Sequence, residues 1–192
     1  MNLIFRIAII AILCFVVSLK AFSQTIGIKS NLLYDLTSTL NLAGEIRCDD
    51  THTFNLSLNY NPWSFKDNRK MKLFMLQPEY RKWFSGAFIG HFIGLQAHYG
   101  IYNWGGMLPW KIKNSQLENN RYQGTMIGCG ISYGYQWIIS THWNLETGIS
   151  FGYAHFNYKR YGSSKSAPLI EKSNDNYWGP TQAGISFIYF LK

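Results

Sequence analysis

Apolar side chains alternate with small or polar ones along most of this chain. In residues 53–60 every even position is apolar and most odd positions are polar, as in Phe54-Asn-Leu-Ser-Leu-Asn-Tyr60. The same alternation recurs at 127–137, 145–153 and 185–191. Successive side chains of a β-strand point to opposite faces of a sheet. The pattern therefore predicts strands with one apolar and one polar face, and no stretch has the sustained period of an amphipathic helix.

The segments that carry this alternation number eight, and the connections between them alternate in length. We predict strands at 25–34, 41–48, 53–61, 72–84, 88–103, 124–139, 143–160 and 178–191. Tight turns then fall at one end of the strands (49–52, 85–87 and 140–142), and longer loops fall at the other (35–40, 62–71, 104–123 and 161–177). Outer-membrane barrels place short turns in the periplasm and long loops outside. The predicted fold is all-β: an eight-stranded antiparallel up-and-down transmembrane β-barrel with a side-chain-filled lumen.

The first 23 residues have the features of a cleaved signal peptide. Arg6 supplies the positive charge, residues 7–19 are apolar and uncharged, and Ala21-Phe22-Ser23 has the small-x-small form of a cleavage site. The apolar run is too short to cross a bilayer as a helix, which takes about 20 residues. We predict a signal peptide at 1–23 and one outer-membrane β-barrel domain at 24–192, with both termini in the periplasm.

The composition fits a barrel whose apolar face touches lipid. Aromatic residues make up 17% of the chain and charged residues 15%, yet mean hydropathy is slightly negative. A lipid-facing side that alternates with a polar interior produces this combination. Alternation alone does not distinguish the inside from the outside. The alternative is therefore a periplasmic lipocalin-like carrier of apolar ligands, with the apolar face turned inward.

Charged residues within the predicted strands fall mostly on the polar face. Six share the phase of the small and amide side chains: Lys29, Glu45, Arg47, Glu79, Arg81 and Glu146. Eight strands enclose a lumen that side chains fill, and ionic groups buried there must be paired. We predict a structural lumen network in which the three glutamates accept hydrogen bonds from the three cations. A filled lumen gives a substrate no entry, so catalysis by these carboxylates is not expected.

No other pattern predicts a catalytic, cofactor-binding or metal site. The five histidines are dispersed, and the glycine-rich stretch 128–134 lies within a strand, without the spacing of a phosphate-binding loop. We expect no cofactor and no enzyme activity. The rival prediction is a lipid A-modifying hydrolase or acyltransferase that uses His155 with a loop serine, Ser163 or Ser164. Ser150, however, falls on the opposite face of the strand from His155.

Basic residues collect in the predicted outer loops and upper strand ends. This region has 11 lysines and arginines against five acids, whereas the rest of the mature chain has five of each. Lipopolysaccharide phosphates lie at this level and would attract a basic rim, so lipopolysaccharide is a predicted partner. The plainer reading is that lysines simply collect in loops.

The loop 62–71 is the candidate surface-contact loop. It combines two aromatic residues, Trp63 and Phe65, with two basic ones, Arg69 and Lys70. Such a mixture suits either a protein partner or lipid head groups. Nucleic acid is not an expected partner, because the basic residues lie at one end of an exported protein, and we expect a monomer.

Four short motifs resemble those of a known family. They are Lys29-Ser-Asn-Leu-Leu-Tyr-Asp35, Tyr60-Asn-Pro-Trp63, Gln77-Pro-Glu-Tyr-Arg-Lys-Trp83 and Gly90-His-Phe-Ile-Gly94. They are similar to the recurrent motifs of a Bacteroidota outer-membrane β-barrel family catalogued as domain of unknown function 3575. The resemblance implies a small outer-membrane barrel, often encoded near fimbrial or surface-adhesin genes, with no established activity. It therefore suggests a non-enzymatic structural or surface-binding protein, accessory to adhesin or fimbria assembly, with a surface or fimbrial protein as partner.

Overall fold

The computed structural model describes residues 25–65, 70–105, 120–162 and 167–191; the predicted signal peptide lies outside these ranges. Within them the chain forms eight strands and one short helix. In chain order these are β1 (Ile26–Asn31), α1 (Leu32–Leu36), β2 (Leu40–Arg47), β3 (His52–Ser64), β4 (Lys70–Trp83), β5 (Gly90–Gly105), β6 (Asn120–Ile138), β7 (Trp143–Gly162) and β8 (Leu169–Leu191).

Every strand pairs antiparallel with its neighbours in sequence, and the last strand pairs with the first. The ladder between β1 and β8 runs from Ile26 opposite Leu191 to Asn31 opposite Ser186, and it closes the sheet into a barrel with the strand order β1 to β8. The predicted eight-stranded antiparallel up-and-down barrel is therefore confirmed. The helix that the structure describes is not long and apolar enough to cross a membrane.

The two ends of the barrel differ. One, which we call the terminal end, carries Ile26 and Leu191 together with the short connections 48–51, 84–89 and 139–142. The opposite end, which we call the far end, carries α1 and the outer ends of the four longest strands. The three predicted tight turns all lie at the terminal end, but the predicted contrast in length is incomplete, because the connection 84–89 is no shorter than the far-end connections 65–69 and 163–168.

Two of the predicted element boundaries are wrong at the far end. The region 161–177, predicted as a loop, is strand from Leu169 onward, and β8 pairs with β7 as far as Tyr161. From Glu171 to Asn176 the side chains are polar on both faces, so the strand pairing continues where apolar and polar residues no longer alternate. The predicted strand 25–34 instead ends at Asn31, whose side-chain Oδ1 accepts the backbone N–H of Leu33 at 3.1 Å and caps α1.

Apolar side chains face outward along the barrel wall, and polar ones face the lumen. On β3, Leu56 and Leu58 are 38% and 42% exposed, whereas Asn55 and Asn59 are 3% and 1% exposed. Inward and outward positions alternate in the same way on β4 and β5. The predicted orientation is therefore confirmed, and the apolar interior that a lipocalin-like carrier needs is absent from the described middle of the lumen.

Candidate functional site

A network of five charged side chains fills the lumen in its terminal half. Lys29 Nζ lies 2.7 Å from Glu146 Oε2 and also contacts Glu45. Arg81 bonds to all three glutamates, at 3.2 Å to Glu45, 2.7 Å to Glu79 and 2.9 Å to Glu146. All five residues are almost completely buried. The structure therefore brings together five of the six residues predicted for the lumen network.

Neutral side chains complete the shell of this network. Thr53 donates a hydrogen bond to Glu45, and Ser132 donates one to Glu79. The Arg81 guanidinium lies over the ring of Phe92, with its carbon 4.2 Å from the ring centre. These contacts offset much of the cost of burying the charges, although Arg81 Nε has no hydrogen-bond partner among the described residues.

The sheet register explains why these side chains meet. Glu79 and Arg81 are two residues apart on β4 and share its inward face, and Gly94 on β5 lies directly opposite Arg81. A Cβ atom at Gly94 would lie 2.7 Å from Glu79 Oε1. The glycine thus leaves the space that the carboxylate occupies.

Arg47, the sixth predicted member, does not join the network. It is the last residue of β2, its side chain is 39% exposed, and its guanidinium bonds to the Asp50 carboxylate and the Asp49 carbonyl oxygen. The prediction was wrong because Arg47 has the inward phase but lies at the rim. There its long side chain reaches water and a nearby acid at lower desolvation cost.

An aromatic cluster closes the lumen at the terminal end. Trp83, Phe88 and Phe92 are buried together, and Phe190 packs against them. Phe88 lies in the connection 84–89 with φ of +69°, a strained conformation for a bulky residue. Its carbonyl oxygen accepts hydrogen bonds from Gln136 at 3.0 Å and Asn144 at 3.3 Å. The connection therefore folds back into the barrel mouth and plugs it.

The far end of the lumen is less polar on the side of β4 and β5. A cavity of about 400 Å³ lies between α1, β4, β5 and β8, and Met71, Leu73 and Trp104 line it from the inward positions of their strands. The sequence did not lead us to predict this cavity, which we call the cup. The two-residue period does place these residues on the inward face, however, when it is continued from Glu79 along β4 and from Gln96 along β5. Below the cup, amide side chains such as Asn59 and Gln77 fill the lumen and bond to each other at 2.9 Å.

The candidate surface-contact residues do not form one loop. Trp63 belongs to β3, and its Nε1 donates to the Ser38 carbonyl oxygen at 2.6 Å; Phe65 follows β3 and is exposed. Lys70 begins β4. Arg69 lies outside the described residues. Trp63 can reach Ser38 because β1 ends at Asn31 and β2 begins at Leu40, so these two strands extend less far toward the far end than β3 does.

The residues considered for catalysis are separated. Ser150 is buried and faces the lumen, whereas His155 is on the outer face, where its Nδ1 lies 2.7 Å from Asn176 Oδ1. Ser163 and Ser164 lie outside the described residues. The part of the chain that the structure describes has no group of three His, Cys, Asp or Glu residues placed to hold a metal ion. Cys48 and Cys129 are exposed free thiols.

A family model described as a protein of unknown function (DUF3575) matches residues 8–191, which confirms the family resemblance inferred from the four motifs. Neither the curated proteins nor the solved structures contain a match to the chain.

Proposed function

We propose that this chain, which belongs to the family of proteins of unknown function DUF3575, is a non-enzymatic outer-membrane β-barrel with a structural or surface-binding role. The observation that carries the proposal is the apolar outer wall. Large hydrophobic residues such as Leu95, Ile127, Ile131 and Phe151 are more than half exposed on it. Soluble monomers rarely expose apolar patches of more than a few hundred Å². A bilayer covers such a wall, and barrel closure satisfies the backbone hydrogen bonds.

The interior supports a structural role. Transport would need a continuous channel, but the described lumen is filled by the ionic network and closed at the terminal end by the aromatic cluster. Trp137 and Trp143 are exposed near the terminal ends of their strands and suit one of the two membrane interfaces. In this arrangement both termini lie in the periplasm and the far end faces outward.

The family resemblance supports a finer version of the proposal. A barrel with a packed interior can act on a partner through its far end, and motifs similar to those of barrels encoded near fimbrial or adhesin genes suggest a partner in adhesin or fimbria assembly. Chemical cross-linking on intact cells, followed by mass spectrometry, tests this version. We expect cross-links from far-end lysines such as Lys159 to a surface protein, and none from Lys82 at the terminal end.

Cell fractionation with surface protease treatment tests the main proposal. We expect the protein in the outer-membrane fraction, with cleavage on intact cells between β5 and β6. Recovery in the soluble fraction together with complete protease resistance would reject the membrane topology. Because the proposed role is non-enzymatic, lipid A from a deletion strain should be unchanged by mass spectrometry. An altered acylation pattern would favour an enzyme instead.

A further inference from the structure

The last strand has an unpaired edge at the far end. The ladder between β1 and β8 covers only residues 186–191 of β8, because β1 ends at Asn31. The Asn31 side chain donates a hydrogen bond to the Ala183 carbonyl oxygen at 3.3 Å, and beyond that point β8 pairs with β7 alone among the described strands. Two register shifts in the ladder with β7 bound a regular stretch of this edge. We call residues 171–179 the open edge; at about 3.3 Å per residue it is roughly 30 Å long.

Side-chain hydrogen bonds identify the main-chain groups that point away from β7. The Asn176 N–H donates to the Asp175 carboxylate at 2.8 Å, and the Pro180 carbonyl oxygen, just below the open edge, accepts from the Tyr177 hydroxyl at 3.2 Å. Both bonds occupy groups that a neighbouring strand would otherwise take. Alternate residues of an antiparallel strand point toward the same neighbour. The residues of the open edge with N–H and C=O groups on the unpaired side are therefore Lys172, Asn174, Asn176 and Trp178.

The open edge lies beyond the apolar wall. On the outer face its residues from Lys172 to Asn176 are polar, and so are their partners on β7, which run from His155 to Lys159. The wall ends at Trp178, which is 77% exposed. Unpaired backbone groups are not tolerated against lipid, whereas water can solvate them at this level. In the proposed topology the open edge therefore projects from the membrane on the outer side.

Contacts with β7 hold the open edge in place. Asn176 Oδ1 accepts a hydrogen bond from the Tyr153 hydroxyl at 2.6 Å and lies 2.7 Å from His155 Nδ1. On the inward face, Glu171 is paired with Arg160 at 2.9 Å. A strand that is already ordered loses little conformational entropy when another strand pairs with it.

The protection of this edge is weak. Proteins commonly protect exposed strand edges with proline, with a bulge or with lysine. Pro180 and the register shift beside it lie below the open edge, so they limit where an added strand can pair but do not block the edge itself. Within the open edge the protecting features are Lys172 and the bond from Asp175 to the Asn176 N–H. An incoming carbonyl oxygen can replace that carboxylate.

A second copy of this chain does not fit the open edge within one membrane. Two identical edges form a regular symmetric ladder only when they are antiparallel, about a two-fold axis perpendicular to the strands. Such an axis would invert the second barrel, whereas all copies in one outer membrane have the same orientation. The occupant is therefore a segment of a different protein.

The outer face of the open edge specifies the side chains of that segment. Lys172 is the cross-strand partner of Lys159, and like charges placed directly opposite destabilise a sheet. An acid on the added strand, beside Lys172, would offset this repulsion. Six residues farther along, Trp178 offers an exposed aromatic surface on the same face. The fitting strand therefore carries an acid and an apolar residue six positions apart.

We propose that the open edge of β8 is a strand-addition site for an extended, acid-containing segment of a surface protein. The inference rests on the proposed outer-membrane location and deepens the surface-binding role, because it names the binding surface and the mode of recognition. Main-chain hydrogen bonds along the open edge supply affinity, and the side chains of Lys172 and Trp178 supply selectivity. The added segment becomes a ninth strand, beside β8 and above the membrane.

Peptide binding to the full barrel in micelles of a neutral detergent tests the site. The probe is a synthetic peptide, TITVTVTET, which in an antiparallel register places isoleucine opposite Trp178 and glutamate opposite Lys172. Fluorescence anisotropy of the labelled peptide measures its dissociation constant. We expect saturable binding. The same peptide methylated at the backbone nitrogens of isoleucine, valine and glutamate should not bind, because these N–H groups face β8 in the added strand.

Variants of the barrel separate main-chain from side-chain recognition. Asn174→Pro removes an N–H on the unpaired side, where proline is tolerated, and one net hydrogen bond is worth about fivefold in affinity. We expect Asn174→Pro to weaken peptide binding at least about fivefold. Asn174→Ala, the matched control, keeps the N–H and should bind like the wild-type protein. Both variants should retain the heat-resistant folded band on a gel.

A charge exchange tests the contact with Lys172. Lys172→Glu should weaken binding of the peptide about fivefold, because a favourable cross-strand pair becomes a repulsive one. A peptide with lysine in place of its glutamate should bind Lys172→Glu better than it binds the wild-type protein.

Three results would overturn the inference. They are no saturable binding of the unmethylated peptide, equal binding of the methylated peptide, and equal weakening by Asn174→Ala and Asn174→Pro. On intact cells, a cross-link from a photoreactive residue at position 174 to another part of the same chain, or to a second copy, would reject a foreign partner. A protein that is absent from the outer-membrane fraction contradicts the proposed function itself, whereas an outer-membrane protein that binds no peptide contradicts this inference alone.

Discussion

Arg81 is the residue on which the interior of the barrel depends most. It contacts Glu45, Glu79 and Glu146 at once and lies over Phe92. With all five groups ionised, the network has three negative and two positive charges. Arg81→Gln removes one of the positive charges and leaves Lys29 alone against three carboxylates. The formal charge of the buried cluster then changes from −1 to −2.

The expected loss of stability follows from these contacts. Removing one partner of a buried ion pair costs about 3–5 kcal/mol, because the other charge is left uncompensated. Glutamine can still donate to one carboxylate, so we expect Arg81→Gln to lower the free energy of unfolding by at least about 3 kcal/mol. Glu79→Gln instead brings the formal charge to zero and keeps its neighbours hydrogen-bonded. It should lower the free energy of unfolding by about 1 kcal/mol, the value of one typical hydrogen bond.

Urea unfolding in detergent micelles, followed by tryptophan fluorescence, measures the difference. Arg47→Gln is the matched control, because it makes the same substitution in an arginine whose ion pair is exposed and worth about 0–1 kcal/mol. Loss of the heat-resistant folded band on a gel gives an independent readout for Arg81→Gln. If Arg81→Gln and Arg47→Gln unfold at the same urea concentration, the charge network does not stabilise the lumen and this reasoning is wrong.

Three further predictions concern the terminal end and the wall. Phe88→Ala should lower the free energy of unfolding by about 3 kcal/mol, because it removes a buried aromatic ring, whereas Phe84→Ala, already exposed, should have little effect in the same urea titration. In native outer-membrane vesicles opened to the periplasmic side, a charged maleimide should label Cys48 and leave Cys129 unlabelled, since in the proposed topology Cys129 faces the acyl chains; equal labelling would contradict that topology. Labelling of Cys48 should also rise with pH above its usual range, because burial, followed by the charges of neighbouring acids, raises the pKa of this thiol. The backbone N–H of Thr51 and the side chain of His52 lower the pKa of Asp49 from 3.8 to about 2, so its contribution to stability is present above pH 4 and is lost as pH falls toward 2; Asp49→Asn should remove this acid-sensitive component from unfolding curves measured between pH 5 and pH 2.

Much of the fold could be predicted because one physical constraint acts along every strand. A shift of one residue would turn a whole face from one environment to the other, so the alternation determines both the strands and the phase of Lys29, Glu45 and Arg81. Between Glu171 and Asn176 both faces of β8 are polar, and the constraint no longer acts. The strand there is held by its backbone pairing with β7, and this pairing does not require any hydropathy pattern in the sequence.

The plug and the position of Arg47 could not be predicted for a different reason. Phe88 adopts a positive φ because Gln136 and Asn144 hold its carbonyl oxygen, and these residues are about 50 positions away in the sequence. Arg47 has the same phase as Glu45, but whether its side chain turns inward depends on how far it lies from the end of the barrel. Both outcomes depend on long-range packing, which a local pattern does not encode.

The Phe88 plug has a mechanical consequence. The connection 84–89 lies inside the barrel mouth and is hydrogen-bonded to β6 and β7. A force applied at the far end would therefore be distributed over several strands and would not open the lumen at the terminal end. In the proposed outer-membrane location, the barrel can therefore bear a load at its far end while it remains closed at the terminal end.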